Sequence, residues 1–139
     1  MNGLQTAHAP SPNVVVPHFM AGGFAFLIMA VLMLFSASEW ISFYYHPKLI
    51  AITHIGVLGW ASMIAFGALY QLIPVIYETS LYSEKLAKIT FWLYTLSVVF
   101  LSYSFWIGSY TNLLFYSSLF MFISLLLFVI NLMMTYKKS

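Results

Sequence analysis

Long apolar stretches dominate the chain, and polar residues gather in the short segments between them. The stretches predict helices over residues 18–44, 48–76, 86–108 and 112–135. Each is long enough to cross a hydrocarbon core of about 30 Å, which takes about 20 residues of helix. They are longer than the strands of a membrane β-barrel, which run to about 10 residues and alternate in polarity. The pattern predicts an all-α, integral membrane four-helix bundle.

Residues 1–16 precede the first stretch and are mostly small or polar. They include Pro10, Pro12 and Asn13 and contain no lysine or arginine, so they do not resemble a cleavable signal peptide. We interpret them as a flexible tail. Residues 17–139 are then one four-transmembrane-helix domain, in which short connections make sequential helices antiparallel neighbours.

Composition supports a membrane location and excludes several functions. Apolar residues make up 63% of the chain and charged residues 6%, against about 25% charged in soluble domains. The chain has no cysteine, which excludes disulfides, thiolate metal sites and covalent haem attachment. It has no arginine and a small net charge, so nucleic-acid binding has no electrostatic basis. The partner that the composition implies is the lipid bilayer.

The lysines are distributed unequally between the two predicted ends of the bundle. Lys85, Lys88, Lys137 and Lys138 lie at the end that carries the termini, whereas the other end has only Lys48. Cytoplasmic segments of membrane proteins carry the excess of positive charge. We therefore expect a multi-pass protein of the bacterial inner (plasma) membrane with cytoplasmic termini, residues 1–16 being a cytoplasmic tail.

His54 is the first candidate for chemistry because it lies inside the second apolar stretch, about 9 Å from the start of its helix. An ionisable group at such a depth is costly and is by default a functional hypothesis. Neutral imidazole is also the commonest side-chain metal ligand. The alternative is a hydrogen bond to a neighbouring helix, for which the third stretch offers Ser97, Ser102 and Ser104.

Small side chains share the predicted helix face of His54. At 100° per residue, the positions within about 40° of it are Leu58, Ala61, Ala65, Ala68 and Leu72. Three alanines leave a smooth surface that suits close packing of another helix and equally suits a flat, apolar macrocycle. Because plain packing needs no imidazole, we predict that Ala61, Ala65 and Ala68 line a cofactor beside His54.

Two further ionisable residues are candidate site residues. Glu39 lies near the end of the first stretch, at a depth similar to that of His54, and would accept a proton from the far nitrogen of its ring; alternatively it reaches the interface. His18 opens the first stretch and is a second candidate metal ligand or else an interfacial histidine. It is roughly 30 Å from the level of His54, so the two cannot bind one iron within a chain.

Several short motifs resemble a known family. Thr53-His54, Leu58-Gly59-Trp60 and the run from Gly67 to Pro74 resemble helix II of subunit I in the haem–copper oxidase superfamily, especially its cytochrome-oxidase-like and nitric-oxide-reductase-like members. The run from Pro17 to Gly23 is similar to the start of helix I in small relatives. The resemblance implies that His54 is an axial ligand of a low-spin haem, and the cofactor we expect is haem b.

The same resemblance limits the expected activity. In that family the histidines for the second haem and for copper lie on later helices, which have no counterpart in this sequence, so a complete oxidase or reductase is not expected. Family subunits contain three four-helix arcs, and this chain has the length of one. Closed cyclic assembly then favours a homotrimer over a homodimer. Met121 is the one soft candidate for a sixth ligand within the chain; otherwise it is a packing residue.

Three functions remain open. The first is a haem-b protein for electron transfer, with a redox partner, or for binding a diatomic gas. The second is a cofactor-free structural or assembly subunit of a larger respiratory membrane complex. The third is a proton or ion pathway through Glu39 and His54.

Overall fold

The described part of the chain forms four membrane-length helices. A computed structural model describes residues 8–40 and 45–138, with side chains for residues 8–38 and 45–138. Spans 1 to 4 are the helices Pro12–Phe35, Pro47–Ile76, Glu84–Trp106 and Asn112–Tyr136. A short helix, Ala37–Trp40, follows span 1. The described ranges contain no strand, so the predicted all-α membrane bundle is confirmed.

Span 1 begins at Pro12, six residues before the predicted start, so the boundary of the tail was placed too late. Pro12 suits the start of a helix because its missing N–H needs no partner there. Val14 and Val15 are buried, and Ser11 is held by the carboxylate of Glu84 through two hydrogen bonds of 2.7 Å. These contacts with distant parts of the chain extend the helix into a segment whose composition indicated a tail.

Local signals mark where several of the helices begin or end. Span 1 ends at Phe35, where the Ser36 N–H still donates to the Leu32 carbonyl, rather than running on to residue 44; residues 41–44 lie outside the described residues. The side chain of Ser83 caps span 3 by accepting from the Leu86 N–H. Span 3 ends at Trp106, two residues before Gly108, whose φ of +63° is a backbone conformation that favours glycine.

The most extensive contacts between spans join neighbours in the chain. Span 1 lies along the middle and second half of span 2, and span 3 lies against the first half of span 2 and along the length of span 4. Span 3 also touches span 1, and the second half of span 2 touches span 4. Span 3 is the most enclosed of the four. Large apolar side chains cover the outer faces of all four spans, as expected where lipid or another membrane protein is the neighbour.

Glycines bring spans 1 and 2 close together. A β-carbon added to Gly22 would lie 2.8 Å from the Ile64 side chain, and one added to Gly67 would lie 3.0 Å from the Cβ of His18. A β-carbon on Gly56 would meet the sulfur of Met29 at 2.6 Å. Small residues allow membrane helices to approach in this way, so these glycines permit the close contact between the two spans.

Side chains of span 4 hold the connection between spans 2 and 3. The buried Asn131 side chain accepts a hydrogen bond from the Ser83 N–H at 3.1 Å and donates one to the Ser83 carbonyl at 3.0 Å. The Thr135 hydroxyl accepts from the Tyr82 N–H at 2.9 Å. These bonds pair the N–H groups of Tyr82 and Ser83, which precede span 3, and give the Ser83 carbonyl a second donor besides the Ala87 N–H. They join the end of span 4 to the start of span 3.

Replacing Asn131 with alanine is expected to weaken this connection. Both bonds to Ser83 are lost, and a buried polar group without a partner costs about 1–3 kcal/mol. The free energy of unfolding, measured by denaturing-detergent titration, is expected to fall by that amount, with faster hydrogen exchange at the Ser83 amide. Asn112→Ala is the matched control because Asn112 is exposed; equal losses in the two variants would contradict the role of Asn131.

Candidate functional site

The ring of His54 is held by its own helix. His54 is the last residue of the α-helical first part of span 2, Pro47–His54, about 10 Å from the start of the span. Its Nδ1 lies 2.7 Å from the Ile50 carbonyl oxygen. Because a carbonyl only accepts, Nδ1 carries the proton and donates it. In the neutral ring, this arrangement leaves the lone pair on Nε2, which is the form of imidazole that binds a metal.

The surroundings of His54 are apolar and lie at the surface of the bundle. The ring is half-buried and packs against Phe105 of span 3, with ring centroids 4.6 Å apart. A groove of about 280 Å³ is lined by Thr53, His54, Val57 and Leu58. Thr53 and Val57 are exposed. His54 therefore faces the outside of the bundle, where the chain supplies one wall of a site.

Span 2 changes its helical form immediately after His54. Residues Ile55–Ala61 form a π-helical segment, here called the π segment, and the α-helix resumes over Ser62–Ile76. The Ser62 N–H donates to the Val57 carbonyl five residues earlier. Such segments occur frequently at functional sites. The sequence signal for this one is weak, since nothing in its composition distinguishes it from an α-helix.

The π segment corrects the predicted alignment of the alanines with His54. That alignment assumed 100° per residue throughout, whereas a π turn holds about one extra residue and rotates the two halves of span 2 by about 100° relative to each other. Ala61 and Ala65 are exposed, and Ala68 is half-buried. Ala61 ends the π segment, and Ala65 and Ala68 lie beyond it, so the three alanines are out of register with His54. Their assignment to a cofactor stays a prediction.

A second cavity, of about 630 Å³, lies between spans 1, 2 and 3. Its walls include Ala25 and Ile28 of span 1, Gly59 and Met63 of span 2, and Val98 of span 3. His54 does not line it. The larger apolar space and the candidate ligand therefore lie on different faces of span 2.

His18 is buried within the bundle, near the start of span 1. It is 1% exposed, and its Nδ1 lies 2.7 Å from the Val14 carbonyl oxygen. The Nε2 has no hydrogen-bond partner. The rings of Tyr70 and Phe91 lie 5.4 and 4.9 Å away. These rings and Gly67 fill the space around His18, so its role as a metal ligand stays a prediction.

The remaining candidates have different outcomes. Glu39 is in the short helix after span 1, but its side chain lies outside the described residues. Met121 is buried in a cluster with Met63, Tyr94, Val98 and Leu101, which fits a packing residue. Within the described part of the chain, no group of three or more His, Asp or Glu side chains could hold a metal ion. His54 is thus a single-ligand candidate.

Sequence reasoning did not identify Tyr94 or Asn131. Tyr94 is 1% exposed, and its hydroxyl donates to the Leu58 carbonyl at 3.2 Å. Both residues lie in apolar spans, where a buried hydroxyl or amide needs a partner. A tyrosine and an asparagine inside apolar stretches are visible in the sequence. Their partners are backbone groups of Leu58 and Ser83, far away in the chain, and sequence alone does not identify those partners.

The fold defines a multi-pass α-helical membrane protein, and its candidate site is the half-buried imidazole of His54 within span 2. The family model described as Cytochrome C and Quinol oxidase polypeptide I matches residues 1–118. The chain belongs to this family. The resemblance of its second stretch to oxidase subunit I is therefore confirmed.

Curated relatives match over a limited segment. Cytochrome c oxidase subunit 1 of Rhodobacter capsulatus is 46% identical over 55 residues, which is 39% of this chain and 10% of the relative. The cbb3-type cytochrome c oxidase subunit CcoN1 of Stutzerimonas stutzeri is 38% identical over 56 residues, or 40% of this chain and 12% of the relative. The matched segments thus span about a tenth of the relatives' length. No solved structure matches the chain significantly.

Proposed function

We propose that this chain binds haem b through His54 and serves in electron transfer or in binding a diatomic gas. The observation that carries the proposal is the 2.7 Å contact between His54 Nδ1 and the Ile50 carbonyl. Metal-binding histidines almost always donate their other ring N–H to such a group, which orients the ring and raises its basicity. When bound, haem would supply one-electron chemistry or reversible gas binding.

The residues around His54 suit an apolar macrocycle. Val57, Leu58 and the ring of Phe105 provide apolar contacts, and among the described residues no acidic or basic side chain besides His54 lines the groove. In such surroundings the axial ligand, local hydrogen bonds and burial are the means by which a protein tunes haem. Ala61, Ala65 and Ala68 remain candidates for contacts farther along the span.

The groove is too open to enclose a cofactor within one chain. Its volume is about 280 Å³, and His54 lies on an outer face. Small-molecule sites usually bury 70–90% of their ligand in about 300–1,000 Å³. We therefore propose that a second polypeptide covers the groove and supplies any sixth ligand. We propose a homotrimer rather than a homodimer, each chain contributing its own His54, with a redox partner if the function is electron transfer.

We also propose a bacterial inner-membrane location with cytoplasmic termini. Lys85 and Lys88 begin span 3 at the end of the bundle where Lys137 and Lys138 follow span 4. Lys48 lies at the opposite end, where its ammonium is 5.3 Å from the centre of the Trp106 ring. The larger number of lysines favours the cytoplasmic side for the first end.

A cofactor-free assembly subunit is the second candidate. The ring of His54 already packs against Phe105, and the larger cavity does not include it. Both observations suit a histidine with a packing role. On this alternative, the exposed apolar faces bind other subunits of a respiratory complex.

Visible spectroscopy of the protein purified in mild detergent separates the two candidates. We expect a Soret band with α and β bands after dithionite reduction, and a trimer that retains haem in native mass spectrometry. Pyridine-haemochrome quantification then gives the haem-to-chain ratio, which distinguishes a haem held by one chain from a shared one. Protein that stays colourless after haem is supplied would favour the assembly subunit. A monomer with fully bound haem would contradict the need for a covering chain.

A further inference from the structure

The π segment leaves one backbone carbonyl of span 2 without a helical partner. Its last bond joins the Ser62 N–H to the Val57 carbonyl. In the α-helix that follows, the N–H of Met63 pairs with the carbonyl four residues before it, that of Gly59. The change from five-residue to four-residue spacing therefore skips the carbonyl of Leu58. In a membrane, such a group must find another donor.

Tyr94 of span 3 supplies that donor. Its hydroxyl donates to the Leu58 carbonyl at 3.2 Å from 36 residues farther along the chain. The side chain is 1% exposed, and its ring packs edge-on against Phe66, with centroids 5.0 Å apart. The ring is thus fixed by packing, and its hydroxyl meets the one carbonyl that the π segment releases. Ser62 supports the same segment through a 2.9 Å bond from its hydroxyl to the Val57 carbonyl.

The consequence for His54 follows from helix geometry. His54 directly precedes the π segment, so the extra residue determines the direction of its ring relative to the second half of span 2. A continuous α-helix would turn the ring by about 100°, away from its present contact with Phe105. The half of span 2 that follows is fixed against span 1 by Gly22 and Gly67. Rotation caused by loss of the π segment would therefore appear at His54.

We propose that Tyr94 is a positioning residue for His54: its hydroxyl stabilises the π segment, and the π segment orients the imidazole towards its ligand. This inference rests on the proposed haem function, but the support of the π segment by the Tyr94 hydroxyl concerns the protein without haem. That support and haem binding can therefore be tested separately.

The test uses Tyr94→Phe, which keeps the packed ring and removes the hydroxyl. Carbonyl-13C leucine with 15N glycine marks one peptide, because Leu–Gly occurs once in the sequence, at Leu58–Gly59. In the haem-free variant, we expect the Leu58 carbonyl NMR signal to move upfield and the ring protons of His54 to lose the shift caused by Phe105. In the haem-loaded protein, we expect affinity to fall about 10–100-fold, as is typical when support of a ligand is lost, with changed EPR g values.

Tyr103→Phe is the matched control, because Tyr103 is in the same span and is 53% exposed; no change is expected. An unchanged Leu58 signal in Tyr94→Phe would overturn the proposal. A moved Leu58 signal with unchanged His54 protons, haem affinity and g values would overturn it too, since Tyr94 would then be structural only. Wild-type protein that binds no haem would instead reject the proposed function, while the haem-free signals still decide whether Tyr94 orients His54.

A second variant covers the case in which Tyr94→Phe does not fold. Ser62→Ala removes the other side-chain bond to the π segment and leaves the core intact. It is expected to shift the His54 ring protons and to lower haem affinity in the same direction, by a smaller factor. If the His54 ring-proton shifts and the haem affinity of Ser62→Ala both equal the wild-type values, the proposal is overturned.

Discussion

Substitution of His54 by alanine is expected to abolish haem binding and leave the four spans folded. Loss of the iron ligand should cost more than the roughly 10–100-fold in affinity that loss of a supporting hydrogen bond costs. The fold should survive because the ring is half-buried and its hydrogen bond is local, to Ile50. A typical substitution costs about 0.5–3 kcal/mol, against a total stability of about 5–15 kcal/mol. The Soret band per chain measures the first effect, and helical circular dichroism in detergent measures the second.

Two further variants sharpen this test. His46→Asn removes another imidazole at the same end of the bundle but preserves its role, since the His46 ring accepts from the Lys48 N–H and asparagine is a good helix cap; full haem binding is expected. His54→Met offers a different axial ligand, so partial binding with a raised potential is expected. If His54→Ala keeps an unchanged spectrum, the ligand lies elsewhere, and His18 is the next residue to substitute.

Substitution of Gly22 by leucine is expected to disrupt the contact between spans 1 and 2, whereas the same change at Gly23 is expected to be harmless. A β-carbon at Gly22 would lie 2.8 Å from the Ile64 side chain and 3.3 Å from the Trp60 backbone oxygen, but one at Gly23 meets nothing within 4 Å. Overpacking costs about 1–3 kcal/mol, and backbone cannot move aside as a side-chain end can. At Gly23, leucine should stabilise the helix by up to about 1 kcal/mol.

Denaturing-detergent titration followed by tryptophan fluorescence measures both effects. The adjacent glycines are a matched pair, since helix propensity and hydrophobicity change equally at the two positions and only the neighbours differ. We expect a lower midpoint for Gly22→Leu and an unchanged or higher one for Gly23→Leu. Equal midpoints would show that spans 1 and 2 do not approach closely at Gly22.

The number and type of the helices could be predicted because both depend on local properties of the chain. A span needs about 20 apolar residues and internal pairing of its backbone groups, and the sequence from Asn112 to Tyr136 meets these conditions without reference to any other segment. The start of span 1 could not be predicted in this way. It depends on the bonds from Ser11 to Glu84, which lies 73 positions away.

The candidate site was only partly predictable for a similar reason. His54 stands out because an imidazole in an apolar stretch is costly wherever the helix packs. The alanine face predicted beside it assumed a uniform helix. The π segment breaks that assumption, and the hydroxyl that supports the segment comes from Tyr94 in another span. Likewise, the burial of His18 depends on Gly67 and Phe91, neither of which is near it in sequence.

The sequence by itself determined that this chain carries four membrane-length apolar stretches, belongs to the oxidase subunit I family and has an imidazole, that of His54, well inside its second stretch. These features follow from composition, stretch length and short motifs, which are properties of contiguous residues. Only the tertiary structure decided where span 1 begins, which face of span 2 carries His54 and that the groove beside it opens to the outside of the bundle. The physical reason is that each of these depends on hydrogen bonds and close contacts between spans, whose partners lie far apart in the chain.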